Sequence, residues 1–215
     1  MLRGGPLGHW AARLPARADL HETERLLREE WRNSVAEVAR WQPARWRDAT
    51  LWMRWIGDLP ALQKLARGGR PPAWMRADPV LGPVVAREPR ERPAALAGTP
   101  LAPLAAGFAA PPDVARCWAR HWQSLWPSAP EARRPLLRLL AVVRTHRERL
   151  AAAPDGATSR DALQSLGRDL ERILRRHALS PAATAAYLCL VMLEMQRLRG
   201  LVAVRSLREA APEPA

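Results

Sequence analysis

A chain of 215 residues, 48% hydrophobic and 26% charged, can bury a sizeable core, which excludes a disordered polypeptide. Its formal charge of +13 is carried almost wholly by Arg, Lys64 being the single Lys, and the Arg residues are spread along the chain; this reads as GC-rich codon usage more than as a nucleic-acid footprint. Cys117 and Cys189 lie far apart with no CxxC pair, so they are expected to be reduced core residues, and a cytoplasmic location is the default.

In chain order, residues 1–18 lack the unbroken apolar core of a signal peptide and read as a poorly ordered lead-in. Asp19 with Glu22 makes a capping-box pattern, and Leu20, Leu27, Trp31, Val35 and Val38 follow at helical spacing. This helix should end before Pro43, with Glu24–Arg28 and Glu29–Arg32 as surface pairs. A second helix is expected over 43–56. The 40–69 stretch draws most attention, because it holds Trp41, Trp46, Trp52 and Trp55. Leu51, Trp52, Trp55, Leu59, Leu62, Leu65 and Ala66 recur there at steps of three and four, one helical stripe. Gly57 and Pro60 should bend or restart the helix, with Asp58 as cap, and Gly68 and Gly69 should close it.

Proline at short intervals then limits residues 70–111 to short helices, expected at 78–86, at 92–96 and after a Thr99 cap. Pro112 and Asp113 open a helix carrying Trp118, Trp122 and Trp126; a second is expected over 134–153. A third should be capped by Thr158 or Ser159, and a last should start at Ser180–Pro181. No segment alternates at period two, so the fold class is all-α, a multi-helix bundle built from pseudo-repeated modules. The chain divides into the lead-in at 1–18, a first helical module at 19–69, a Pro-rich crossover at 70–111, a second helical module at 112–208 and a frayed tail at 209–215. The most apolar run, 182–193, stops at Glu194, short of the ~20 residues that a membrane span requires.

Catalytic chemistry has no local signature. The five His residues show no metal-ligand spacing, and there is no P-loop, GxGxxG or GxSxG, so neither cofactor, metal nor enzyme activity is expected. His121, one turn from Cys117, reads as ordinary helix packing. The Trp row at 118, 122 and 126 reads as core rather than as a base-stacking platform. Asp58 and Glu194 are the acids that stand out, each at the margin of an apolar stripe and followed by Leu at the same two steps: Asp58, Leu62, Leu65 and Glu194, Leu198, Leu201. Asp58 admits two readings, a local pair with Arg54 or a cap, or an acid that binds a backbone group or Arg at a module junction.

The segments WIGDLPALQKLARG (55–68) and YLCLVMLEMQRLRGLVAVR (187–205), with AALAGTPLAPL (94–104) between them, resemble the V-type ATPase C/d family of rotor subunits. Members carry helical modules that end in an acid, Leu residues and an Arg-Gly or Lys exit, and a middle "AL-x-GTPY" stretch. The matching positions are Asp58, Leu62, Leu65, Arg67 and Gly68, then Gly98, Thr99 and Pro100, then Glu194, Leu198 and Leu201. The family's Asn before Leu is Ala61 in one module and Arg197 in the other, its aromatic after GTP is Leu101, and the chain is shorter than three-module members. The resemblance implies a non-catalytic rotor subunit, peripheral to the inner membrane on its cytoplasmic face. Its partners would be the central stalk subunits and the membrane rotor ring, and it would couple ATP turnover to proton or sodium transport. Arg54 and Arg70 are then expected partner contacts. The competing readings are an Arg-rich helical nucleic-acid-binding protein and a generic helical adaptor.

Overall fold

The computed structural model describes residues 20–109 and 113–210, with side chains through Val204. The expected cap at Asp19, the 1–18 lead-in and Pro112 of the expected Pro112–Asp113 helix start lie outside the described residues. Nine α-helices and several 3-10 turns account for the architecture, with no strand among the described residues, so the molecule is an all-α multi-helix bundle. Helix α1 is Leu20–Trp41, α2 is Ala44–Trp52, and a 3-10 segment, Met53–Asp58, leads into α3, Leu59–Ala66. Pro43 and Pro60 each begin a new direction because neither can donate the N–H that would continue the preceding helix.

The crossover is built of short pieces, α4 (Gly82–Val85) and α5 (Arg92–Ala97), joined by 3-10 turns and followed by the 3-10 segment Ala102–Phe108. It is packed: Leu81, Val84, Leu96, Leu101 and Leu104 are fully buried against the helices. Then come α6 (Val114–Ser124), α7 (Pro130–Ala151), α8 (Gly156–Arg176) and α9 (Pro181–Ala210). Three expectations need correction here. Helix α7 starts at Pro130 rather than near 134, because Pro130 is well suited to a first turn and Pro135 is close enough to the start to be carried. Helix α8 is capped by Asp155, whose carboxylate accepts from the Thr158 N–H at 2.7 Å, rather than by Thr158 or Ser159. The last helix also continues through Glu209 and Ala210, where the sequence reads as a frayed tail.

One hydrophobic cluster runs from Leu27 and Trp31 on α1, through Leu62 and Leu65 on α3 and the Trp row of α6, to Leu188 and Leu198 on α9. Indole N–H groups tie its parts together. Trp31 donates to the Arg54 carbonyl at 2.9 Å, Trp122 to the Ala49 carbonyl at 2.8 Å and Trp52 to the Trp118 carbonyl at 3.2 Å. Trp118 stacks on Trp122, which meets Trp126 edge-on at 5.0 Å between ring centres. Trp31, Trp52 and Trp122 each bury a large apolar area and also satisfy a main-chain acceptor, so they fix the helices in register as well as in contact. The stripe ends are less covered than their spacing suggests: Leu20 and Leu201 are both exposed.

Candidate functional site

Asp58 sits where the 3-10 segment turns into α3. It does not cap that helix; its side chain makes no bond to the α3 N-terminus. Its carboxylate is instead 2% exposed and gripped by two arginines of α1. Arg28 and Arg32 lie one turn apart, so both reach inward from the same face. Arg28 donates to Asp58 Oδ1 and, at 2.8 Å, to the Gly57 carbonyl; Arg32 Nη2 donates to Asp58 Oδ2 at 3.1 Å. Arg32 Nη1 also donates to Asp78 Oδ2 at 2.6 Å, and Asp78 Oδ1 accepts from the N–H groups of Val80 and Leu81. On the other side, Arg28 Nη2 pairs with Glu24 at 2.8 Å, and Glu24 accepts from Arg199 Nε of α9 at 2.7 Å.

Three guanidiniums thus face three carboxylates in one chain of contacts, Arg199–Glu24–Arg28–Asp58–Arg32–Asp78. It joins α9, α1, the 3-10 turn and the crossover. Aromatic faces close it above and below: the Arg28 guanidinium lies 3.7 Å from the centre of the Trp74 ring and that of Arg32 4.9 Å from Trp55. Burial pushes the Asp58 carboxyl upward, and Arg28 and Arg32 pull against it. Burial also works to lower the Arg32 guanidinium, but Asp58 and Asp78 overcome it and its value is raised. Burial lowers Arg199, with Glu24 opposing. The three arginines stay charged across the physiological range, so each carboxylate faces a fixed positive charge. Close packing supports it: a side chain on Gly57 would lie 3.2 Å from the Met192 methyl of α9.

The remainder of the first motif is a helix terminator. Gly68 adopts φ +79, its N–H donates to the Leu65 carbonyl at 3.0 Å, and the Gly69 N–H reaches back to the Lys64 carbonyl at 2.9 Å. These two bonds are the paired closures of a Schellman motif, so Gly68 supplies a left-handed residue and Arg67 the C-cap. Leu62 and Leu65 are core. The Gly98-Thr99-Pro100 turn is likewise structural: Thr99 Oγ1 donates to the Leu96 carbonyl and accepts from the Leu101 N–H. Arg67 and Arg70 lie at the module exit and are both exposed, whereas Arg54 is half-buried over the Trp55 ring and makes no ion pair among the described residues.

The second acid stands elsewhere. Glu194 lies inside α9 and, among the described residues, pairs with Arg197, one turn on, at the surface. Leu198 is buried, but Leu201 is 54% exposed, which corrects its expected place in the core. His121 packs edge-on against Trp52 at 4.4 Å, and burial lowers its imidazole. Both cysteines are free, and burial pushes the Cys189 thiol up to about 12. No group of three metal-ligating side chains occurs among the described residues, and no described helix is long and apolar enough to cross a membrane.

Two partnerships escape sequence reasoning. Arg28 and Arg32 look like members of surface pairs, since each has a Glu within a turn; in fact Glu29 pairs with Arg25 and leaves Arg32 to Asp58 and Asp78. The second is His146 of α7, buried, with Nε2 2.8 Å from Asp169 of α8, which also accepts from Arg172. His146 falls on the Leu136, Leu139, Val143, Leu150 stripe, and that placement is the available signal.

Fold and junction together define an all-α bundle with a buried polar joint between α1, the 3-10 turn, the crossover and α9. Comparison with family models, with curated proteins and with solved structures yields no match for this chain.

Proposed function

We propose that the protein is a non-catalytic central-rotor subunit of a V-type rotary ATPase. In this reading it stands between the central stalk and the membrane rotor ring and couples ATP hydrolysis or synthesis to proton or sodium transport. The observation that carries the proposal is the state of the motif on which the resemblance rests. Residues 55–68 form a turn, a short helix and a closed terminator, bolted to α1 through Asp58. A part that transmits torque needs joints that hold their geometry under load, and a buried, hydrogen-bonded ionic joint resists shear because any displacement strands charge away from water. At the exit of the same motif, Arg67 and Arg70 reach solvent and are able to make forked hydrogen bonds to polar loops of a ring.

The buried Trp row supports this reading over nucleic-acid binding. Trp118, Trp122 and Trp126 are enclosed, so they present no faces to bases. The test is affinity purification of the tagged protein from gently solubilised membranes. The proposal expects ATPase head, stalk and ring subunits to be recovered with it; recovery of nucleic acid, or of none of those subunits, overturns it.

A further inference from the structure

Helix α7 departs from the even spread of charge along the chain. It holds six Arg (133, 134, 138, 144, 147 and 149) against two Glu (131 and 148). Both acids sit in its terminal turns, so residues 132–147 carry five Arg and no acid. Arg134, Arg138, Arg144, Arg147 and Arg149 are exposed, and none has an ion-pair partner among the described residues.

Helical spacing gathers most of them on one side. Arg134, Arg138, Ala141, Thr145 and Arg149 recur at steps of three and four, with Leu137 and Arg144 in the row beside them; all are exposed. The opposite side carries Leu136, Leu139 and His146, all buried. From Arg134 to Arg149 the outer side is about 22 Å long. Neighbouring acids do not neutralise it. On α8, which packs beside α7, Asp169 is held by His146 and Arg172, and Glu171 by Arg175. Asp155 caps α8 and Asp161 lies in its second turn, so both stand near the turn between the helices, away from Arg134 and Arg138. Like charges gathered without local acids attract a polyanion.

The surroundings narrow its kind. Residues 130–176 contain no Phe, Trp or Tyr, so bases would find no stacking platform. A duplex groove encloses the helix that reads it, whereas α7 packs on α8 and α9 and offers only its outer side. Leu137, 49% exposed, lies among the arginines. Guanidiniums able to fork onto phosphates around an exposed leucine match a bilayer surface, where phosphate overlies hydrocarbon.

We propose that the outer side of α7 docks on an anionic lipid bilayer, with Arg134, Arg138, Arg144 and Arg149 on headgroup phosphates and Leu137 set between them. The proposal does not depend on the rotor assignment, and its failure would leave that assignment standing. The test is co-sedimentation of the full chain with phosphatidylcholine vesicles, with and without phosphatidylglycerol. Binding should require phosphatidylglycerol and weaken at least about tenfold as salt rises from about 0.1 M to about 0.5 M. Arg138→Glu with Arg144→Glu should weaken it about tenfold or more, and Arg138→Gln with Arg144→Gln by less. Arg87→Glu with Arg90→Glu makes the same charge change at exposed positions of the crossover and should cost less than about threefold. All substituted side chains are exposed, and circular dichroism checks that the variants fold. An equal loss in the crossover variant would reduce the effect to net charge and overturn the proposal. So would full affinity in both α7 variants, no preference for phosphatidylglycerol, or binding of duplex DNA or poly-Glu through Arg138 and Arg144 without vesicle binding.

Discussion

At the residue scale the two motif acids are chemically unlike. Asp58 is enclosed and bonded to two guanidiniums, while Glu194 forms one surface pair. Removing one member of a buried pair leaves the other charged and desolvated, so Asp58→Ala should cost about 3–5 kcal/mol of stability. Glu194→Ala should cost at most about 1 kcal/mol, since exposed pairs gain little over hydration. Urea unfolding midpoints of the two variants check this, and similar midpoints would count against it. Asp169 adds a pH test. The His146 hydrogen bond, followed by Arg172, holds its carboxyl below the ordinary range. A depressed carboxylate stabilises the fold above its unfolded value of about 3.9, and that contribution fades as pH falls through the lower folded value. Asp169→Asn should therefore be less stable than wild type near neutral pH, and the two melting temperatures should converge as pH falls from the unfolded value of about 3.9 through the lower folded one. A constant gap across that window would remove the pair from the acid response.

At the element scale, helices are legible in the sequence and their neighbours are not. Stripe spacing locates Trp31, Leu62, Leu166 and Leu198 in the core because period 3.6 fixes a face whatever it packs on. The same stripe places Leu201 inside, yet burial there depends on whether another element reaches that far along α9, which spacing does not encode. Leu62→Ala and Leu198→Ala should each cost about 2–5 kcal/mol. Leu201→Ala should stay within about 0.5 kcal/mol of wild type, and a Leu201 effect as large as that of Leu198 would refute the assignment. For the candidate junction, Asp58 is visible as an acid at the edge of an apolar stripe. Its partners are hidden because Glu24 and Glu29 offer Arg28 and Arg32 plausible local mates, and a link spanning 26–30 residues leaves no local periodicity. The backbone of Leu179 is hidden for a related reason, since it looks like any loop leucine until its φ of +62 is known. Leu179→Gly should raise stability by roughly 1 kcal/mol. A lowered thermal midpoint would show that the leucine supports the fold instead.

At the scale of the whole molecule, a packed core carries an exposed basic exit at Arg67 and Arg70. Ion pairs and indole hydrogen bonds bind α1, the Met53–Asp58 turn, α6 and α9 into one packed unit. Under the rotor reading, the arginines at the 67–70 exit, which are exposed, are the expected partner contacts. Reversing the charge of Arg67 and Arg70 together should weaken assembly most at low ionic strength, because exposed charges are screened over about 10 Å at 0.1 M salt. Coupling tests the central claim most directly. ATP hydrolysis and ion pumping are measured together in membrane vesicles prepared with and without this protein. The rotor reading predicts that its loss abolishes pumping while the detached head still hydrolyses ATP, and that restoring the protein restores pumping. Pumping that persists unchanged in its absence would contradict it.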